Sequence, residues 1–286
     1  MFPSRFDYVA TRSVEEAIAA KAIGDEVRFL AGGQSLLPMM KTRLATPAKL
    51  VDINGITGLD TLRRDNGTLV VGALVRHADI VRSDLTFGAI ASAAPWISDP
   101  LVRNRGTLCG SVAHCDPEGD WNSVLLATGA DVVARGSNGE RVVPITDFVV
   151  DVFTNSLADD EMVTEVRVPV PAGRSGGNYQ KLERKVGDYA TVGVAAHLEL
   201  GADGAVSRAG IALTAVNPIN TKVTAAEDLL VGNQPGDDVF AAAADAAAQA
   251  SEPRDDVRGT AEWKRNVVRV FTRRALTAAL AQAQGG

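Results

Sequence analysis

The chain has 286 residues, 46% hydrophobic and 5% aromatic, enough apolar content for one large domain or two ordinary ones around a sizeable core. Acidic residues outnumber basic ones, 35 to 29, and no basic block or aromatic–basic interleaving occurs, which argues against nucleic-acid binding. Two cysteines, Cys109 and Cys115, are too few for a disulfide scaffold or an Fe–S cluster of the chain's own. No run approaches the ~20 apolar residues of a membrane span, and Met1 to Ala10 lacks the apolar core of a secretory leader, so a cytoplasmic protein is expected.

Phe6 and Tyr8 open a short strand. Ser13 is a good N-cap, Glu16 stands where a capping box closes, and a helix runs from Val14 to Ala22. Val27 to Ala31 reads as a buried strand ended by Gly32-Gly33. Leu36 to Leu44 reads as helix, with Pro38 restricting where it begins, and Leu50 to Ile53 as another strand. The opening is a β-α-β-α-β unit. Its Gly32-Gly33-Gln34-Ser35 loop lies at the C-terminal end of a strand, where ligands of α/β sheets bind.

A hairpin follows, Leu59 to Leu62 and Thr68 to Val71, turned by Asp65-Asn66-Gly67. Helices are expected over Arg76 to Val81, Thr86 to Ala94 and Asp120 to Gly129. Ala130 to Ala134 and Glu140 to Pro144 form a second hairpin, and Glu165 to Val170 a closing strand. Pro169 to Gly177 is the best linker candidate. Beyond it, Asn178 to Arg184, Ala190 to Leu200 and Ala205 to Val216 suit a three-stranded antiparallel sheet. Helices follow at Val223 to Leu230, Asp237 to Gln249 and Thr260 to Gln284. The expected division is residues 1–173, with lobes of about 1–55 and 56–173, and residues 174–286.

Two segments concentrate small side chains and hydroxyls. The first is Phe29-Leu30-Ala31-Gly32-Gly33-Gln34-Ser35. The second is Arg103-Asn104-Arg105-Gly106-Thr107-Leu108-Cys109-Gly110-Ser111, continuing to Asp116-Pro117-Glu118-Gly119-Asp120-Trp121. A phosphate or pyrophosphate needs N–H donors that approach closely with no Cβ in the way. Two such segments in one domain suggest a ligand clamped between them. Taken alone, Gly32-Gly33 reads as a tight turn. Neither segment is a GxGxxG or a P-loop fingerprint, and no GxSxG elbow occurs.

Asp120, just before a helical stretch, can accept from ribose hydroxyls or can cap its helix. Cys109, His114, Cys115 and Asp116 lack zinc spacing and a positioned base, so neither a metal site nor a nucleophile is read there. Tyr179 to Ala190, with its Lys181 and Tyr189, reads either as a charged edge strand and turn or as a tyrosine and a lysine beside a planar anionic cofactor.

Together, Ala31 to Pro38, Val102 to Thr107, Asp116-Pro117 to Asp120-Trp121, and Tyr179 to Ala190 resemble the FAD-binding medium subunit of the molybdenum hydroxylases. This is the flavoprotein chain of carbon monoxide dehydrogenase and of xanthine-dehydrogenase-like enzymes, and the resemblance spans essentially the whole chain. It implies an α+β fold: a two-lobed FAD domain of the vanillyl-alcohol-oxidase type and a small α+β domain. It implies that Ala31, Gly32, Gly33, Gln34 and Ser35 wrap the pyrophosphate. Thr107, Leu108, Cys109, Gly110 and Ser111 would cradle the phosphate and ribitol from the other side. Asp120 would bind the adenosine ribose, Ile97 would lie against the flavin, and Lys181 and Tyr189 would reach the isoalloxazine. One departure stands out: Cys109-Gly110 replaces the usual Gly-Gly, which strains Cys109 if its φ must be positive.

The resemblance further implies an electron relay without catalytic residues of its own. FAD would sit on this chain, with molybdopterin and [2Fe–2S] clusters on a large and a small partner subunit, in a dimer of heterotrimers. Electrons would pass from the clusters to NAD⁺, a quinone or another acceptor. The alternative is a self-contained FAD-dependent oxidoreductase of the same superfamily.

Overall fold

Three main sheets organise the chain, which a computed structural model describes for residues 2–22, 24 and 26–285. Residues 1 and 286, the outer limits of the expected domains, lie outside the described residues. The first sheet comes from β1 (Asp7–Ala10), α1 (Val14–Lys21), β2 (Val27–Leu30), α2 (Leu36–Lys41) and β3 (Lys49–Asp52). Its strands are all parallel, in the order β1-β3-β2, as helical crossovers require. At α1 the Ser13 hydroxyl accepts from the Glu16 N–H at 3.1 Å. The Glu16 carboxylate reaches back past the cap to the Arg12 N–H at 2.6 Å, so the box closes one residue early. The α2 helix stops at Lys41, short of the expected Leu44, because Arg43 turns left-handed at φ 64°.

The second sheet is antiparallel, in the order β4-β5-β10-β6-β7. It takes β4 (Leu62–Asp65) and β5 (Thr68–Gly72) as a hairpin whose Asn66 and Gly67 both have positive φ, the signature of a type I′ turn. Five helices separate this hairpin from the next: α3 (His77–Arg82), α4 (Gly88–Ala93), α5 (Pro100–Arg103), α6 (Leu108–His114) and α7 (Asp120–Thr128), with a 3₁₀ turn at Ala94–Trp96. Then come β6 (Asp131–Gly136), β7 (Gly139–Pro144), α8 (Ile145–Phe148), the small hairpin β8 (Val149–Asp151) and β9 (Thr154–Asn155), and β10 (Met162–Pro169) at the sheet's centre. The expectation did not include α5, α6, α8 or the small hairpin. All are too short for an apolar period to show. Every residue of α7 is buried, which makes it the central helix of the molecule.

The third sheet carries β11 (Ser175–Leu182), β12 (Val192–Leu200), β13 (Val206–Thr214) and the two-residue β14 (Thr221–Lys222), all antiparallel. It thus has one strand more than expected. After it come α9 (Thr224–Leu230), α10 (Asp237–Gln249) and α11 (Ala261–Gly285). The strand β11 starts inside the expected linker. Gly176 and Gly177 are packing residues there: a Cβ on Gly177 would stand 2.6 Å from the Ala89 nitrogen of α4, and one on Gly176 would run into the α11 backbone at Ala279 and Ala283.

This sheet is covered on both faces. Val194, Ala196, Leu198, Ile211 and Leu213 pack with α9, α10 and α11. Tyr179, Ala195 and Ala212 point the other way and join the core of the first two sheets, against α4 and α7. The strand period of two assigns alternate residues of β11 to opposite faces, so Lys181 shares the α7-facing side with Tyr179. Among the described residues no helix is long and apolar enough to cross a membrane.

Candidate FAD cleft

A cleft of about 980 Å³ opens between the C-terminal end of the first sheet, α6, the start of α7 and the turn after β11. That is the upper end of the range for small-molecule sites. Every expected site residue except Leu108 lines it. Leu108 is fully buried, backbone included, and packs in the core.

The first segment leaves β2 as an open turn. The backbone N–H groups of Gly32, Gly33, Gln34 and Ser35 donate to no acceptor among the described residues. Gly33 has φ 72° and needs glycine for its conformation alone. Gly32 needs it for space. A Cβ there would stand 2.7 Å from the Gly106 Cα and closer still to the Arg105 carbonyl. The two segments are therefore in backbone contact.

Two residues that the sequence did not single out hold this contact. The Arg76 guanidinium donates to the Arg105 carbonyl at 2.6 Å and to Asn54 Oδ1 at 2.6 Å, while Asn54 Nδ2 donates to the Ala31 carbonyl at 2.9 Å. Below them the His77 N–H donates to the Gly106 carbonyl at 3.0 Å, and His77 Nδ1 accepts from the Trp121 indole at 3.1 Å. Burial pushes the His77 imidazole down to about 3, so it stays neutral and serves as that acceptor.

The second segment is a helix start, not the loop expected. Thr107 is the N-cap of α6, and its hydroxyl accepts from the Gly110 N–H at 3.1 Å. That hydroxyl is engaged in capping. Among the described residues the Cys109 N–H donates to no acceptor, while Leu108 adjoins the backbone bridge between Arg76 and Thr107. Cys109 has helical backbone, so replacing glycine there causes no strain. The left-handed residue of the segment is Cys115, at φ 51°, where α6 ends.

Both thiols are buried. Desolvation raises the Cys109 thiol far above its ordinary range and pushes Cys115 up to about 12. Neither is a thiolate at neutral pH. The native chain is expected to resist iodoacetamide at both positions and to label only on denaturation. Mass spectrometry of the labelled peptides checks this, and rapid native labelling of either thiol would contradict it.

Asp120 is the first residue of α7, and the cap is Gly119. The Asp120 side chain caps nothing. Its Oδ2 accepts from Lys181 Nζ at 3.0 Å and its Oδ1 from the Tyr179 hydroxyl at 2.6 Å. Burial pushes the carboxyl up, and the Lys181 ammonium and the phenol work against that shift. Lys181 also donates to the Trp96 carbonyl at 3.1 Å and lies 3.6 Å from Glu183. Implied roles at the adenosine ribose and at the isoalloxazine thus fall on touching side chains. Tyr179, fully buried, was missed as a site residue. Its signal was present: it is two residues before Lys181 on a strand, hence on the same face. Ile97 and the half-exposed Tyr189 line the same end of the cleft.

Residues 4–171 match the family model described as the FAD binding domain in molybdopterin dehydrogenase, and residues 177–279 match the CO dehydrogenase flavoprotein C-terminal domain. The chain belongs to the FAD-binding subunit family of the molybdopterin dehydrogenases. It is 40% identical to the carbon monoxide dehydrogenase medium chain of Hydrogenophaga pseudoflava, with 99% of each chain covered. It is 38% identical to the 6-hydroxypseudooxynicotine dehydrogenase complex subunit alpha of Paenarthrobacter nicotinovorans, covering 99% of this chain and 97% of that one. The solved carbon monoxide dehydrogenase of Hydrogenophaga pseudoflava, in a form lacking the Mo-pyranopterin moiety, superimposes with a TM-score of 0.94 at 42% identity, over 99% of both chains.

The family's cofactor is FAD, and the cleft fits it. Unpaired N–H groups from two backbones in contact offer the donor set a pyrophosphate requires, and the volume admits a dinucleotide.

Proposed function

We propose that this chain is the electron-relay subunit of a molybdopterin/[2Fe–2S]/FAD hydroxylase. It takes electrons from Fe–S clusters and delivers them to NAD⁺, a quinone or another acceptor. The observation that carries the reading is the likeness to subunits of such enzymes over the full length of both chains. A cluster needs four protein ligands, and among the described residues the two buried cysteines are not part of any cluster of three or more ligating side chains, which favours clusters on a partner. The partners are a small Fe–S subunit and a large molybdopterin subunit, assembled as a dimer of heterotrimers.

Residues 1–173 act as the FAD domain, with lobes meeting near residue 55, and residues 174–286 as the C-terminal domain. The N–H groups of Gly32 to Ser35 hold the pyrophosphate, with Ala31 at the start of the turn. The free N–H of Cys109 faces it from α6, with Gly110 and Ser111 keeping the approach open, Thr107 capping the helix and Leu108 packed in the core behind them. Ile97, Lys181 and Tyr189 belong to the flavin end, where the half-exposed Tyr189 borders the cleft's mouth. Asp120 acts at that same end through Lys181 and not at the adenosine ribose. When bound, FAD supplies the exchange of electrons with the acceptor, and the chain's residues bind it and set its electrostatic surroundings.

Co-expression with both subunits followed by size-exclusion chromatography tests the reading. The expected result is one complex with one FAD per copy of this chain, released into the supernatant by acid. Its flavin should bleach with the complex's substrate only when all three subunits are present. A chain that stays apart from both subunits and oxidises an organic substrate unaided would instead be a self-contained oxidoreductase.

A further inference from the structure

We propose that Tyr179 is a positioning residue for the flavin: its phenol fixes the charge of the Asp120–Lys181 pair and so sets the electrostatic potential at that end of the cleft. This rests on the reading that the cleft holds FAD. Tyr179 itself does not line the cleft. It is 2% exposed and reaches the cleft only through Asp120.

Its hydroxyl has one proton, and the 2.6 Å bond directs that proton toward Asp120 Oδ1. The Thr214 hydroxyl, which also meets Ser123, is the phenol's other acceptor, but at 3.3 Å it competes weakly with Asp120. Ser123 in turn donates to the Asp120 carbonyl at 3.0 Å. Asp120 is 7% exposed, and its carboxylate has two side-chain donors, Lys181 and Tyr179. A carboxylate in so dry a place keeps its charge only while its donors compensate for lost water.

Removal of the phenol proton leaves Lys181 as the one donor. Burial then favours the neutral acid, and Asp120 takes up a proton at a higher pH than before. The Lys181 ammonium is then no longer balanced by Asp120. The other titratable groups facing this point are Glu183, on the strand that carries Lys181, and Tyr189 with its neighbours Asp116 and Glu118 across the mouth. None of them can replace the lost bond, because Glu183, Asp116 and Glu118 are acceptors and the Tyr189 hydroxyl is engaged with Asp116. Only Glu183, 3.6 Å away, then balances the ammonium, and a cation that has lost one of its two anions beside a flavin favours the reduced, more negative form.

The experiment is a spectroelectrochemical titration of the holo-complex carrying Tyr179→Phe, repeated across the neutral pH range. FAD content should match the wild type. Toward acid pH the midpoint potential should rise above the wild-type value by at least a tenfold change in the reduced-to-oxidised ratio, about 30 mV for a two-electron couple. Toward alkaline pH the two should converge. Profiles that coincide throughout, with flavin bound, overturn the proposal. Where Tyr179→Phe fails to fold or loses flavin, Thr214→Val removes the phenol's other acceptor from outside the cleft and leaves its proton to Asp120 alone. It should shift the profile the opposite way, and a wild-type profile or a shift like that expected of Tyr179→Phe overturns the proposal equally. A wild-type complex without FAD removes the underlying reading instead.

Discussion

Asp120→Ala should destabilise the folded chain by about 3–5 kcal/mol, because it leaves the Lys181 ammonium buried with its closest anion gone. The Lys181 side chain is 1% exposed, so water cannot replace the carboxylate. Urea unfolding without added FAD measures the loss. Asp120→Asn keeps acceptors for both donors and should cost less. The double variant Asp120→Ala/Lys181→Met removes both charges and should recover part of the loss, the remainder reflecting Glu183, which then loses the cation 3.6 Å away. Equal stabilities for the double and the single variant would show that the pair is not coupled. Weaker FAD binding by Asp120→Ala cannot by itself show contact with the cofactor, since the variant also disturbs Lys181.

Gly32→Ala should weaken FAD binding ten- to a hundredfold, about 1–3 kcal/mol. A single methyl at residue 32 would drive into the Arg105–Gly106 backbone and must part the two segments that form the back of the cleft. The comparison is Gly67→Ala, a hairpin-turn position where a Cβ meets nothing within 4 Å. That variant should lose some stability through its φ of 75° but keep its FAD affinity. Fluorescence titration of the deflavinated complex reads both. Equal affinity for Gly32→Ala and the wild type would show that the contact between segments does not shape the site. Gly33→Val is a poorer probe, because its left-handed backbone penalises valine whether or not a ligand binds.

Several features of the site were legible for local reasons. Gly32-Gly33 follows a strand that ends in Ala31, and small residues after a strand mark a turn with free N–H groups. Asn66-Gly67 names its hairpin, because only residues tolerant of positive φ fill that turn. The α6 helix was hidden for the converse reason. Seven residues with Gly110 inside them carry no readable period, and the Thr107 cap resembled one more hydroxyl of a loop. Arg76 and Asn54 gave no signal at all. Their partners are the backbone carbonyls of Arg105 and Ala31, and a carbonyl looks the same under every side chain.

The sequence by itself determined the β-α-β-α-β opening, the two hairpins, the long C-terminal helices and the family with its FAD cofactor. Period, turn chemistry and capping act over a few residues, and the family's motifs are contiguous stretches. Only the tertiary structure decided what the charged residues do. Asp120 and Lys181 are 61 residues apart in the chain, and Asp120 could as well have capped α7 or faced a ribose. The decision came from packing. Gly177 and Ala195 let the third sheet press against α4 and α7, and the two-residue period of β11 then delivers Tyr179 and Lys181 together onto Asp120. A carboxylate shut away from water must take the donors that packing brings to it, and those donors come from a different sheet.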